Sequence, residues 1–528
     1  MPASDAKPVR NILFIMADQL RADYLSCYGH PHLQTPAMDA LAARGVRFSR
    51  AYVQAPVCGP SRMSFYTGRY VASHGSSYNG VPLRVGEMTM GDHLRPLGLR
   101  TALIGKTHMT EDQAGMTRLG IDRHSIEGVF AAEGGFEPYE RDDGLWPDQV
   151  NPRDLAYNRW LRERGYNGDN PWHSNANAAR GSDGNLKSGW LMRNSGEPAA
   201  IAEEHSETAY MTMRAMEFID AAGDQPWCLH LSYIKPHWPY IAPAPYHAMY
   251  GPQHVLPANR TEAERADPHP VVGAFMQHEE GINFSRDEVR DTVIPVYMGL
   301  IRQLDDHLAR LWDFLDERGL FENTLIVLTS DHGDYLGDHW LGEKELFHEE
   351  SVRIPMIVYD PSPAADTTRG TVDDALVEAI DLAPTFVEAV GGRVAAHVLE
   401  GRSLLARTRE TGGDWRGACF SQCDYAFRGA RLTLGRGPSE SRAWMVRTDR
   451  WKYVEYEGFA PQLFDLSSDP AEQNDLGQNP AHAQTRAELH EELFRWMRDR
   501  KMRVTLADAA IESRTDTHKD RGYLFGVW

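Results

Sequence analysis

Four runs of apolar and β-branched residues recur along the chain: NILFIMA (11–17), RTALIG (100–105), WCLHLSYI (227–234) and TLIVLTS (324–330). They are continuously apolar rather than alternating, so each predicts a strand buried on both faces, which only a parallel sheet covered by helices provides. Helical punctuation separates them. TPAMDALAARG offers Thr35 as N-cap, Pro36 in the first turn and Gly45 as the stop. A helix over 90–94 leads into RTALIG, the segment 206–222 leads through Gly223 into WCLHLSYI, and an amphipathic stretch over 287–315 leads into TLIVLTSDHGD. The expected fold is α/β, a large mostly parallel (mixed) sheet sandwiched by helices. In such sheets ligands bind beyond the carboxyl ends of the strands, and here those ends carry Asp18, Lys106, Lys235 and Asp331.

With 528 residues the chain has room for more than one domain. We expect a catalytic α/β domain over 1–410 and a smaller α+β domain over 411–528 containing an antiparallel sheet. Over about 122–198 the composition shifts to Gly, Asn, Asp, Trp and Arg and periodicity fades, which reads as long loops over the site where substrate choice would reside. The run AWMVRTDRWKYVEYEGF (443–459) alternates like an exposed antiparallel hairpin. The tail over 505–528 ends in GYLFGVW, too apolar for a free end, and predicts packing against another subunit in a homo-oligomer, a dimer or tetramer.

A net charge of −20 would repel a polyanion over most of the surface, so nucleic acid is excluded as a partner, and an anionic substrate requires positive charge gathered in a pocket. The first ten residues lack an apolar signal core and 11–17 is too short to cross a bilayer, so no membrane association is expected. The five cysteines are odd in number and scattered, which argues against a disulfide framework and for a cytoplasmic protein. Cys419 and Cys423 lack a partner pair or a nearby His and read as two buried thiols rather than metal ligands.

Cys58 stands out in QAPVCGPSRMSFYTGRY (54–70). Pro60 suits the first turn of a helix running through Thr67, which places Cys58 beside the free N–H groups of a helix N-terminus, with Arg62 four residues on and on the same face. The residues alone leave two readings open: an anion or activated nucleophile held by Arg62, or a buried thiol beside a structural arginine. Asp18 and Gln19, and Asp331 and His332, follow apolar strands and could together hold one divalent cation, although acids at strand ends also serve as helix caps.

At these residues the chain resembles the formylglycine-dependent sulfatases and phosphonate monoester hydrolases of the alkaline phosphatase superfamily. Cys58-Gly59-Pro60-Ser61-Arg62 followed by Thr67-Gly68-Arg69 matches the signature C-x-P-S-R…T-G-R, and the likeness extends through ADQLRADYLSCYGH, GKTHM, IKPHWPY, TSDHGDYLGDH and GEKELFHEESVRIP to FDLSSDPAEQNDL. The resemblance implies that a formylglycine-generating maturation enzyme oxidises Cys58 to formylglycine, whose hydrate is the nucleophile. It implies one divalent metal ion, Ca²⁺ or Mn²⁺, held by Asp18, Gln19, Asp331, His332 and the modified Cys58. Around the transferred group it places Arg62, Asn79, Lys106, His108, His237 and Lys344. Asn79 would donate to a non-bridging oxygen, Lys106 and Lys344 would neutralise oxygens, and His108 and His237 would exchange protons with the leaving oxygen and the nucleophile.

The Gln19/His332 pair resembles the phosphonate monoester hydrolases, whereas Lys106 and His108 in GKTH resemble sulfatases. Sulfate transfer through a loose transition state favours a cationic donor near the leaving oxygen, which weights the reading toward sulfatase. The expected activity is hydrolysis of aryl or small organic sulfate monoesters, small anionic esters, with promiscuous phosphonate monoester and phosphodiester hydrolysis. The alternatives are a phosphonate monoester hydrolase or phosphodiesterase using the same machinery, and an anion-binding protein in which Cys58 is never converted.

Overall fold

The computed structural model describes residues 9–152, 154–410, 414–517, 520–522 and 524. An eight-stranded mixed sheet is built from β1 (Asn11–Asp18), β2 (Val46–Tyr52), β3 (Arg100–Gly105) and β4 (Glu137–Arg141), which are joined later in the chain by four further strands. A small hairpin, β5 (Ala178–Arg180) and β6 (Leu186–Ser188), stands apart from that sheet. The later strands are β7 (Trp227–Pro236), β8 (Thr324–Ser330), β9 (Arg353–Tyr359) and β10 (Thr371–Glu378). The order is β10-β2-β9-β8-β1-β7-β3-β4, parallel throughout except for β9, which runs antiparallel to both neighbours.

Strand β1 lies between β7 and β8, and the two sides of its apolar run bury in different layers. Ile12, Phe14 and Met16 enter one core, while Leu13, Ile15 and Ala17 enter the other. That double burial is why the run shows no polar alternation. On the second face pack helix Glu207–Ala222 and helix Asp287–Glu317, which contribute Met211, Phe218, Ile301 and Leu308.

Helix Pro36–Arg44 begins and stops where its punctuation predicts, but its N-terminal cap comes from elsewhere. The carboxylate of Asp305, on the long helix, accepts from the backbone N–H groups of Ala37 at 3.1 Å and Met38 at 2.9 Å. Thr35 makes no side-chain cap bond, its hydroxyl being engaged with Ser26.

The stretch 122–198 is more ordered than its composition suggests. It holds helices Ile126–Ala132 and Ala156–Glu163, the edge strand β4 and the β5–β6 hairpin. Its aromatic residues form a separate small core in which Tyr157, Leu161 and Trp172 pack on Tyr210 and Ile241. Without a long periodic run, that core could not be read from spacing.

Toward the C-terminus, β11 (Ala418–Asp424), β12 (Arg442–Thr448), β13 (Trp451–Tyr456) and β14 (Gln462–Asp465) form an antiparallel sheet in chain order. The β12–β13 hairpin is covered rather than exposed. Met445, Val454 and Tyr456 join the main core, while Val446 and Tyr453 pack under helix Ala483–Arg498. Both faces therefore meet protein, which alternation alone does not distinguish from one face meeting water. Cys419 and Cys423 are buried free thiols, as expected. Most of the GYLFGVW tail lies outside the described residues. Among the described residues no helix is long and apolar enough to cross a membrane.

Candidate active site

Strands β8, β1, β7 and β3 are consecutive in the sheet, so their carboxyl ends bring Asp331, Asp18, Lys235 and Lys106 to one edge. Helix Cys58–Thr67 points its N-terminus at that edge and is wholly buried. Ser61 Oγ donates to the Asp331 carbonyl at 2.6 Å. Arg62, fully buried, donates from Nε to Asp331 Oδ2 at 2.8 Å and from Nη1 to the Lys106 carbonyl at 2.7 Å and Ser232 Oγ at 2.8 Å. Its Nη2 reaches Asp18 Oδ2 at 3.3 Å. One guanidinium thus ties four strands together, at the ends of three and the middle of β7, a task for which its planar fork of donors is suited. Its donors are spent on the scaffold and the carboxylates, leaving the anion-holding part to other cations.

Those cations gather around Cys58. His332 Nε2 lies 3.0 Å from Cys58 Sγ, and the Lys106 and Lys344 ammoniums, with the His108 imidazole, add to the positive surroundings. Burial would push the Cys58 thiol up, but Lys344 first, then Lys106 and His332, hold it well below the ordinary thiol value. Lys106 also pairs with Asp18; burial is the largest single influence and pushes the carboxyl up, but Lys106, His237 and Arg62 together hold it below its usual range. His237 donates from Nδ1 to the Trp238 carbonyl at 2.7 Å, which leaves Nε2 to accept from Lys344 Nζ at 3.3 Å. Burial, reinforced by Lys106 and Lys344, lowers the pKa of His237 to about 3, so its ring is neutral.

The arrangement fits a divalent cation. Ligand atoms of Asp18, Cys58, Asp331 and His332 all lie within 4.8 Å of one another, and all four residues are buried. Asp18 Oδ1 is buried with no hydrogen-bond partner, and His332 Nε2 stands 3.8 Å from it and 3.7 Å from Asp331 Oδ1. His332 donates from Nδ1 to the Gly333 carbonyl at 2.8 Å, which fixes the tautomer that presents the Nε2 lone pair inward. Gln19 lies at the rim with its backbone in the left-handed region (φ 63°). Its amide oxygen accepts from Lys344 Nζ at 2.9 Å, and its Nε2 donates to Asp334 Oδ2 at 2.5 Å and to Tyr240 Oη at 3.2 Å. The side chain links the metal-type cluster to Lys344.

Asn79 accepts from the Gly59 N–H at 2.7 Å, and a Cβ at Gly59 would meet that same oxygen at 2.7 Å, so a side chain there would displace the Asn79 amide. His108 also has a positive φ, of 52°, and a buried Nδ1 without a hydrogen-bond partner. Its backbone N–H and that of Thr107 both donate to Asp143 Oδ1 at 3.1 Å.

Several of these supports escaped sequence reasoning. Asp143 comes from the 122–198 stretch, Ser232 from the middle of β7, and Tyr240 and Asp334 hold Gln19 from two directions. Only Asp334 carried a signal, its place three residues after Asp331 in SDHGDYLGDH. All the sequence-predicted residues reach this edge, although Asn79 and Gln19 hold neighbours through their amide oxygens.

Comparison with known proteins agrees with this geometry. The family model described as Sulfatase matches residues 10–392, and one described as N-sulphoglucosamine sulphohydrolase, C-terminal, matches 337–499. The multifunctional alkaline phosphatase superfamily protein PehA of Trinickia caryophylli is 32% identical over 92% of this chain and 95% of its own length. An arylsulfatase of Clostridium perfringens is 26% identical over 88% of this chain and 90% of its own. Among solved structures, the phosphonate monoester hydrolase SpPMH from Silicibacter pomeroyi has a TM-score of 0.82 at 30% identity, covering 94% of this chain and 97% of that one.

Proposed function

Starting from the fact that this chain belongs to the sulfatase family, we propose that it hydrolyses aryl or small organic sulfate monoesters, with phosphonate monoesters and phosphodiesters as side substrates. The observation that carries the reading is the convergence of Lys106, Lys344 and His332 on Cys58, beside a carboxylate oxygen of Asp18 that has no protein partner. We further propose that Cys58 is oxidised to formylglycine by a maturation enzyme. The hydrate of that group offers one hydroxyl to attack sulfur or phosphorus and a second to release the transferred group by re-forming the aldehyde, so no water need attack an ester.

Asp18, Asp331 and His332 would hold one divalent cation together with the modified Cys58, with Gln19 at the rim, and the cation would supply Lewis-acid polarisation of an oxygen. The donor set mixes carboxylate with imidazole, which suits Mn²⁺ at least as well as Ca²⁺. Lys106 and Lys344 neutralise the non-bridging oxygens. His237, neutral and with its Nε2 lone pair free of a proton, takes the proton of the attacking hydroxyl. His108, whose Nδ1 has no partner, protonates the leaving oxygen. Arg62 positions Asp18 and Asp331 rather than touching the substrate.

The experiment is mass spectrometry of the peptide spanning Cys58 together with turnover of an aryl sulfate and phenyl phosphonate, with and without a chelator. Aldehyde at Cys58 and chelator-sensitive sulfate turnover are expected. Full activity with an unmodified thiol would overturn the proposal. The second reading, a phosphonate monoester hydrolase, is favoured by the Gln19/His332 pair and by the 30% identity to SpPMH. A higher kcat/KM on the phosphonate selects it.

A further inference from the structure

Immediately beside the reacting centre lies a cavity of about 260 Å³. It is reached from the catalytic residues along the chain itself: Trp238 and Tyr240 follow His237, and Glu343 precedes Lys344. Its walls are aromatic, formed by Trp190, Trp238, Tyr240 and Phe284. The Trp190 and Trp238 rings meet edge to face at 5.6 Å and 64°, and Tyr240 meets Phe284 at 6.2 Å and 90°. Trp238 packs on the His237 ring at 4.5 Å, so a group seated here lies directly against the active centre.

The charge on this cavity opposes that of the site beside it. Glu279, Glu280 and Glu343 line it, and no Lys, Arg or His does. Glu280 is paired with Arg428. The side chains of Glu279 and Glu343 have no hydrogen-bond or ion-pair partner among the described residues; Glu343 is half-buried with its backbone in the left-handed region, φ 57°, and burial, opposed chiefly by Lys344, raises its pKa to about 7. The three carboxylates do not converge within 4.8 Å as ligands of one ion would, so they form a diffuse negative wall rather than a metal site. Trp190, Met192, Glu279 and Asn283 also line an adjoining hollow, where Arg193, Arg286 and Glu288 join them, so Glu343 is the acid that belongs to the inner space alone and lacks an ion-pair partner among the described residues.

Aromatic faces combined with unpaired carboxylates recognise a compact organic cation, which gains from the ring quadrupoles and from the negative field without needing directional hydrogen bonds. We propose that the alcohol or phenol part of the preferred ester carries such a cation, a quaternary or protonated amine, seated between Trp190, Trp238 and Glu343. The substrate class is then a zwitterionic sulfate ester, anionic at the end held by Lys106 and Lys344 and cationic at the other. This choice also removes an obstacle: a chain of net charge −20 repels anions at long range, but a net-neutral ester escapes that penalty. A polysulfated substrate would meet three carboxylates at this point and is disfavoured.

The inference rests on the sulfatase reading, so the test separates them. Two aryl sulfates are compared, 4-(trimethylammoniomethyl)phenyl sulfate and its neutral isostere 4-neopentylphenyl sulfate, in which a methylene insulates the leaving oxygen from the charge. The expected kcat/KM ratio is about tenfold or more in favour of the cation at low salt. Glu343→Gln and Trp190→Ala should each cut that ratio several-fold, while Trp190→Phe retains most of it. Independently of turnover, benzyltrimethylammonium should quench tryptophan fluorescence at concentrations where benzyl alcohol does not, and Trp190→Ala should weaken that quenching. Equal kcat/KM for the two esters, or quenching no stronger with the ammonium than with the alcohol, would overturn the inference. Quenching by the ammonium with no hydrolysis of any sulfate or phosphonate would retain the cation site and reject the sulfatase reading.

Discussion

The loop over 331–352 feeds two clusters of buried charge that are built on different principles. It delivers Asp331 and His332, at its start, and Lys344 to the active centre, where Asp18 Oδ1 has no hydrogen-bond partner among the described residues and cations crowd one sulfur. It also delivers His339, Glu349 and Glu350 to the junction with the C-terminal sheet, where each of these three meets an opposite charge within the chain. There Lys452 Nζ, on β13, donates to the Phe347 carbonyl at 2.8 Å and forms ion pairs with Glu349 Oε1 at 2.9 Å and Glu472 Oε1 at 2.6 Å. His339 contacts Glu264 at 2.6 Å and Glu350 at 3.5 Å. The ion pairs of the junction anchor the loop. The active centre is left electrostatically open, and the anchoring lets it stay open without collapsing.

Breaking the open cluster should abolish chemistry and spare the fold. Cys58→Ala is expected to lower kcat by about 10⁴-fold or more, the scale of losing a covalent nucleophile, while the melting temperature stays close to wild type. A wild-type rate would remove the nucleophile assignment.

Breaking the closed cluster should do the reverse. Lys452→Met leaves Glu472 buried without its cation and Glu349 with only Arg353 and Arg447, a loss of about 3–5 kcal/mol by the usual cost of orphaning one partner of a buried ion pair. Denaturant titration reads the stability, and a shift under 1 kcal/mol would show that the network is decoration.

Within the open cluster, the double change Lys106→Tyr and His108→Thr should shift the sulfate-to-phosphonate ratio of kcat/KM toward phosphonate by about tenfold, equivalent to about 1.4 kcal/mol. An unchanged ratio counts against their role in handling the leaving oxygen.

The junction should also show a pH dependence. Burial would lower the pKa of His339, but Glu350 and Glu264 outweigh it and raise the pKa to about 10. A histidine whose folded pKa exceeds its unfolded value stabilises fully below the unfolded value, and the contribution drains away as pH rises toward 10. Stability should therefore fall by about 1 kcal/mol per pH unit at the steepest part of that window, and His339→Gln should flatten the slope. A slope that persists in the variant would assign it to another group.

Much of this was legible in the chain. The four buried strands, the helix starting at Cys58 and the polar residues at the strand ends follow from periodicity and punctuation, which are local properties. The 122–198 stretch was not legible as structure, because its core is a few aromatic residues that pack on Tyr210 and Ile241 from elsewhere in the chain. The cap of helix Pro36–Arg44 escaped for the same reason: a local Thr35 was available, but Asp305 on the facing helix supplies the charge.

By itself the sequence determined which segments become strands and helices and which residue types stand at the strand ends, because hydrophobic period and turn chemistry act over a few residues. Only the tertiary structure decided that Arg62 serves Asp18 and Asp331, that one oxygen of Asp18 is left over, and that an acidic aromatic cavity adjoins Lys344. Those facts depend on strand order and on which side chain reaches a donor first across hundreds of intervening residues, and nearest-neighbour patterns in the chain carry no record of either.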